Sequence, residues 1–127
     1  MKVVSKSSTE LLTLGLSVPE FSCKCSALSC DVVFISDRLL AAYNSFRCLV
    51  ATALKINSGH RCQKYNKMVG GVKFSYHLIG YAIDIDAAAL LSKFSVEEII
   101  KLAHKAGFTF VKYYKNLGFF HFDVREH

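Results

Sequence analysis

Apolar residues along the chain follow two rhythms, and each rhythm predicts a different element. From residue 39 to residue 50 they recur at helical spacing, as Leu39, Leu40, Tyr43, Phe46, Leu49 and Val50. Ser36 stands just ahead as an N-cap and Asp37 suits the positive helix start, so a helix is predicted over 37–51. Ser95, followed three residues later by Glu98, is a capping box that opens a second helix running to about Ala106, where Gly107 stops it. The other rhythm has period two. Tyr81-Ala82-Ile83-Asp84-Ile85-Asp86 alternates strictly, with Ile83 and Ile85 on the core face and Ala82, Asp84 and Asp86 on the other. Phe108–Tyr114 and Phe119–Val124 are β-rich runs split by Lys115-Asn116-Leu117-Gly118, a hairpin signal. Ala53–Asn57 reads as a short strand ended by Ser58-Gly59, and 61–68 as a helical turn broken at Gly70-Gly71. Residues 1–30 read as loop with a short helix, wrapped over the core. The sum is an α+β domain, a small antiparallel sheet flanked by helices.

Length bounds this picture. At 127 residues, 52% hydrophobic and 20% charged, the chain suits one domain over 1–127, with 1–20 expected to be peripheral. Abundant apolar residues and the lack of a repeat period exclude a disordered chain or a solenoid. The longest apolar stretches are about five residues, as in Ala87–Leu91, too short to span a bilayer. The patch Leu11–Val18 is too brief for a signal-peptide core, and Ala27-Leu28-Ser29-Cys30, which faintly resembles a lipoprotein cleavage site, lacks an apolar run before it. The expectation is synthesis in the cytoplasm without a signal peptide.

Charge sharpens the question of partners. The net charge of +6 attracts polyanions: nucleic acid, anionic membrane surfaces or cell-wall polymers. It is unevenly spread. No acidic residue lies between Asp37 and Asp84, while Arg38, Arg47, Lys55, Arg61, Lys64, Lys67 and Lys73 all do. This interval reads either as a solvated face or as a positive rim around a site for an anionic substrate. The five cysteines (Cys23, Cys25, Cys30, Cys48 and Cys62) leave at least one unpaired within the chain. Cys23, Cys25 and Cys30 are close enough for a metal knot, but no further ligand is evident nearby, so buried thiols are expected.

Polar residues interrupt two strands where a plain core would not want them. In Phe120-His121-Phe122-Asp123-Val124, His121 and Asp123 share the face opposite the phenylalanines. Asp84 lies on the face opposite the isoleucines, seven residues after His77. Two histidines and one aspartate from neighbouring segments, with a fourth position open to water, would make a catalytic-type zinc set. By spacing alone, the same residues also read as an ordinary core or surface histidine and an aspartate paired with a lysine.

The motifs go further. Ser75-Tyr76-His77-Leu78-Ile79-Gly80-Tyr81-Ala82-Ile83-Asp84 resembles the S-x-H-x-x-G-x-A-x-D signature of the peptidase M15 family, with all five fixed positions filled. Upstream, Ser58-Gly59-His60-Arg61 and Tyr65-Asn66-Lys67-Met68-Val69-Gly70-Gly71 are similar to the family's S-G-[YF]-R and YN-x-x-V-G-G stretches; downstream, His121-Phe122-Asp123-Val124-Arg125 is similar to its H-x-D-V-R motif. The resemblance covers about residues 20–126 and implies the M15/Hedgehog-like peptidase fold with its zinc site on the sheet. It implies one zinc ion held by His77, Asp84 and His121. Gly80 would allow the tight backbone before the strand, and Ala82 would leave room beside the metal. Arg61 and Ser75 fall on the substrate side, Arg61 as the contact for a substrate carboxylate and Ser75 as a residue that orients a ligand.

Two positions depart from the pattern. Many members carry an acid three residues before the last zinc histidine, and that position here is Gly118. Asp123 is then the candidate catalytic residue, as general base or as the group that orients His121. His60 stands where the family has an aromatic. His104 at a helix end and the terminal His127 need no catalytic role. By resemblance the activity is hydrolysis of D-amino-acid-containing peptides of bacterial peptidoglycan, as a D-alanyl-D-alanine carboxypeptidase or an endopeptidase of the phage endolysin kind. The protein would be a monomer acting at the cell wall on stem peptides, without nucleic acid. The competing expectation is a catalytically inactive, zinc-containing wall-binding module.

Overall fold

The computed structural model describes residues 1–13, 15–25 and 30–126. Four antiparallel strands form the central sheet in the order β5-β6-β8-β7: β5 (Ile56–Ser58), β6 (Ala82–Asp86), β8 (Phe119–Asp123) and β7 (Phe110–Tyr114). The α+β expectation holds. Two further antiparallel pairs lie outside this sheet, β1 (Lys2–Ser5) with β4 (Val32–Ile35) and β2 (Leu11–Thr13) with β3 (Leu16–Ser17). The helices are α1 (Val18–Phe21), α2 (Asp37–Val50), α3 (Gln63–Met68), α4 (Ala88–Leu91) and α5 (Val96–Ala106).

The two long helices form where capping chemistry put them. Ser36 accepts from the Leu39 N–H at the start of α2, and Ser95 with Glu98 closes a reciprocal capping box at α5. Their apolar faces and the period-two faces of β6 and β8 make one core. Ile83, Ile85, Phe120 and Phe122 meet Leu39, Tyr43 and Phe46 of α2 and Ile99 and Ala103 of α5, all fully buried. Phe46 and Phe108 each approach Phe122 with ring centroids 5.0 Å apart, the Phe46 ring edge-on.

The deviations have local causes. Phe108 does not start β7. Gly107 caps α5 at φ 122°, and the turn drives the Phe108 ring into the core, so pairing begins at Phe110. The strand expected over 53–57 is shifted to Ile56–Ser58, where Ile56 pairs with Ile85 and Ser58 with Asp84. Residues 1–30 hold more than loop and a short helix. β1 crosses to β4, and Leu16, Val18 and Phe21 reach the core. The four residues 27–30 that resemble a lipoprotein site lie mostly outside the described residues, as does His127. Among the described residues no helix is long and apolar enough to cross a membrane.

Register positions the polar face. Asp84 pairs with His121 and Ala82 with Asp123, so the side chains of both pairs share the face opposite the core. Just before β6 the chain makes a single 3₁₀ turn, Tyr76–Ile79, that carries His77. Gly80 ends that turn at φ 71°, and a Cβ there would stand 1.9 Å from the Phe34 carbonyl oxygen of β4. Only glycine lets the turn lie against β4 and deliver His77 beside β6.

Candidate metal-dependent active site

His77, Asp84 and His121 converge, with one ligand atom from each lying within 4.8 Å of the others. His77 and Asp84 are buried and His121 is 14% exposed. The His77 Nδ1 lies 2.6 Å from the Gly59 carbonyl oxygen, which can only accept, so Nδ1 carries the proton and Nε2 the lone pair. That Nε2 stands 3.2 Å from Asp84 Oδ2, yet it makes no hydrogen bond and is fully buried. A buried imidazole nitrogen facing a carboxylate calls for a cation between them, a proton or a metal ion. This is the observation that fits the residues to a metal ion. His121 adds Nδ1 at 2.9 Å from Asp84 Oδ1.

Electrostatics agree with the geometry. Burial would raise the Asp84 carboxyl, but its hydrogen bond to His121 and the closeness of the His77 imidazole outweigh it and bring it down to about 2. Burial would lower the His121 imidazole, but its hydrogen bonds to Asp123 and Asp84 win and raise it. Asp84 and Asp123 thus flank the His121 ring from both sides, and carboxylates in that position favour a cation beside it.

Asp123 is fully buried and engaged at both oxygens. Its Oδ2 lies 2.7 Å from His121 Nε2 and 2.6 Å from Arg125 Nη2, while Oδ1 accepts from the Arg125 backbone N–H at 3.1 Å and from Nε at 2.8 Å. Burial pushes the Asp123 carboxyl up, but Arg125 and His121 bring it to about 2. Arg125 is itself sandwiched, 3.7 Å from the Phe110 ring centroid and 4.5 Å from that of Tyr76. Arg125 belongs to the H-x-D-V-R motif, yet sequence reasoning gave it no role; its clamp on Asp123 is visible only in three dimensions.

Arg61 stands over the trio, with Nη2 3.2 Å from Asp84 Oδ2 and the rest of its fork held by Ser58 Oγ and Asn66 Oδ1 at 3.0 and 3.1 Å. Asn66 in turn donates to the Val72 carbonyl at 2.8 Å, an anchor that the Y-N-x-x-V-G-G stretch did not reveal as such. Ser75 is buried and caps the 3₁₀ turn, its Oγ accepting from the His77 N–H at 3.2 Å. It lies with Arg61, His77, Asp84 and His121 along a cleft of ≈ 250 Å³ that continues to Gly70-Gly71, Tyr114 and Phe119. Gly118 sits in the β7–β8 turn at φ 72° with open space around it, and Lys115, Asn116 and Leu117 beside it carry no acid. Among the described residues lining the cleft, Asp84 is the one carboxylate. His60 is buried edge-on against Phe34, and burial pushes it down to about 4, so it is a neutral packing residue.

The cysteines differ from expectation. Only Cys23 is buried, Cys48 is exposed, and Cys62 joins Cys23, Cys25 and Cys30 in a second cluster. The fourth sulfur comes from the residue after Arg61, too far along the chain for spacing to reveal.

A small α+β domain with a His–Asp–His trio in a cleft on the open face of its sheet has the build of a hydrolase. The chain belongs to the Peptidase M15 family, whose sequence profile matches residues 15–123. No curated protein matches the chain.

Proposed function

We propose that the protein is a zinc peptidase that hydrolyses D-amino-acid-containing peptides of bacterial peptidoglycan. The carrying observation is the lone pair of His77 Nε2, buried against Asp84 with no donor to meet it. His77, Asp84 and His121 would hold the ion. Bound there, zinc supplies Lewis acidity, lowering the pKa of a water toward about 7 and polarising a scissile carbonyl.

The chain's own residues supply the rest. Arg61 presents a guanidinium fixed by Ser58 and Asn66 to the terminal or side-chain carboxylate of a stem peptide. Ser75 fixes the turn that aims His77. Asp123 orients His121: with every oxygen engaged and no exposed surface, it has no lone pair left for a water, which argues against the alternative of a general base. Exposed Val69 and Val72, which line the cleft, would support the uncharged part of the substrate.

One observation favours a second reading, a wall-binding module without turnover: among the described residues lining the cleft, no acid stands beside Asp84. Digestion of defined muropeptides by the zinc-loaded protein, with products mapped by mass spectrometry, decides. New amine termini, lost in His77→Ala, Asp84→Ala and His121→Ala and after chelation but restored by zinc, are expected. Intact substrate with zinc bound would establish the module.

A further inference from the structure

We propose that Cys23, Cys25, Cys30 and Cys62 form a second metal site, a closed tetrathiolate that binds one zinc ion and staples the N-terminal segment to the loop carrying Arg61. One sulfur from each lies within 4.8 Å of all the others. Cys23 Sγ is 3.6 Å from Cys62 Sγ, and Cys25 Sγ is 3.5 Å from Cys30 Sγ. These separations far exceed the ~2.05 Å of a disulfide. They approach the edge of a zinc–thiolate tetrahedron, about 3.8 Å for Zn–S bonds of about 2.3 Å.

The surroundings are those of a thiolate cage. The Cys62 N–H donates to Cys23 Sγ at 3.3 Å and the Tyr65 N–H to Cys62 Sγ at 3.4 Å, contacts that steady negative sulfur. Lys6 brings its Nζ to 2.9 Å from Cys25 Sγ and 3.7 Å from Cys30 Sγ, a cation that offsets the excess charge of four thiolates on a divalent ion. Four sulfurs, the full group of ligands among the described residues, make a soft site, suited to structural zinc rather than to catalysis. Its position gives it a purpose. Cys62 caps α3 and follows Arg61 directly, so the ion would anchor the loop that carries the arginine.

Zinc per chain, measured by elemental analysis on protein purified anaerobically without chelator, tests this. Two zinc ions per chain are expected, with one retained in the His77→Ala/His121→Ala variant. Cys23→Ser/Cys62→Ser should lose the other, and Cys48→Ala, outside the cluster, should lose neither. In case the cysteine variant fails to fold, cobalt(II) loading of the His77→Ala/His121→Ala protein provides a second readout: intense sulfur-to-cobalt charge-transfer bands are expected. Zinc that vanishes entirely from the histidine variant, cobalt spectra without those bands, or an intact mass reduced by the hydrogens of two disulfides would each overturn the site. Loss of the histidine-held ion alone would instead count against the catalytic reading, so the two proposals fail separately.

Discussion

The imidazole of His121 is fixed at both ends, Nδ1 toward Asp84 and Nε2 toward Asp123, and Arg125 fixes Asp123 in turn. Such relays set the orientation and basicity of a metal-binding ring, and disturbing one typically costs about 10–100-fold in metal affinity. Asp123→Asn keeps an oxygen for the ring N–H but removes the charge. Zinc titration should show affinity falling by roughly that factor, with turnover recovering once zinc saturates. Turnover abolished at full zinc occupancy would make Asp123 a proton acceptor instead. The same scale shows what spacing could reveal. His121 and Asp123 share a face because alternation says so, and the structure agrees. The partner of His77 Nδ1 is a backbone carbonyl, at Gly59, and no side-chain pattern points to a carbonyl.

Elements with strong local chemistry were readable from the chain, and elements built by distant pairing were not. Ser36 and Ser95 announce α2 and α5 because a cap is a contact between residues three apart. β6 and β8 announce themselves by period two. β1, by contrast, alternates half-buried and exposed residues over only four positions, its partner β4 lies past α1, and α4 has no side-chain cap to betray it. Removing the α5 cap tests how much such a contact contributes. Ser95→Ala deletes the acceptor of the Glu98 N–H and should destabilise the fold by about 1 kcal/mol. Thermal unfolding should show a Tm lower by about 4 °C, with zinc content unchanged at room temperature.

At the scale of the whole molecule, charge and cleft coincide. Lys64 and Lys67 are exposed on α3, next to the residues that line the cleft, and Lys73 is exposed just before the turn that carries His77. Reversing the three to glutamate should reduce retention on purified cell walls several-fold at low salt, and the difference should shrink near 0.15 M, where the screening length is about 8 Å. Hydrolysis of a small soluble muropeptide at saturation should change little, which separates targeting from chemistry. Equal retention of both proteins at low salt would remove the basic interval from the account of wall binding.

The pairing of Asp84 with His121 across β6 and β8 has one more consequence. Side chains alternate between faces, so a slip of one residue would send isoleucine and phenylalanine to the cleft and bury the carboxylates among them. The β7–β8 hairpin can close early by local contacts, yet it brings only His121 and Asp123; Asp84 and His77 arrive when β6 docks in register. The meeting of His77, Asp84 and His121 is therefore an all-or-none report of correct β6–β8 register, and a misaligned sheet leaves the trio unassembled.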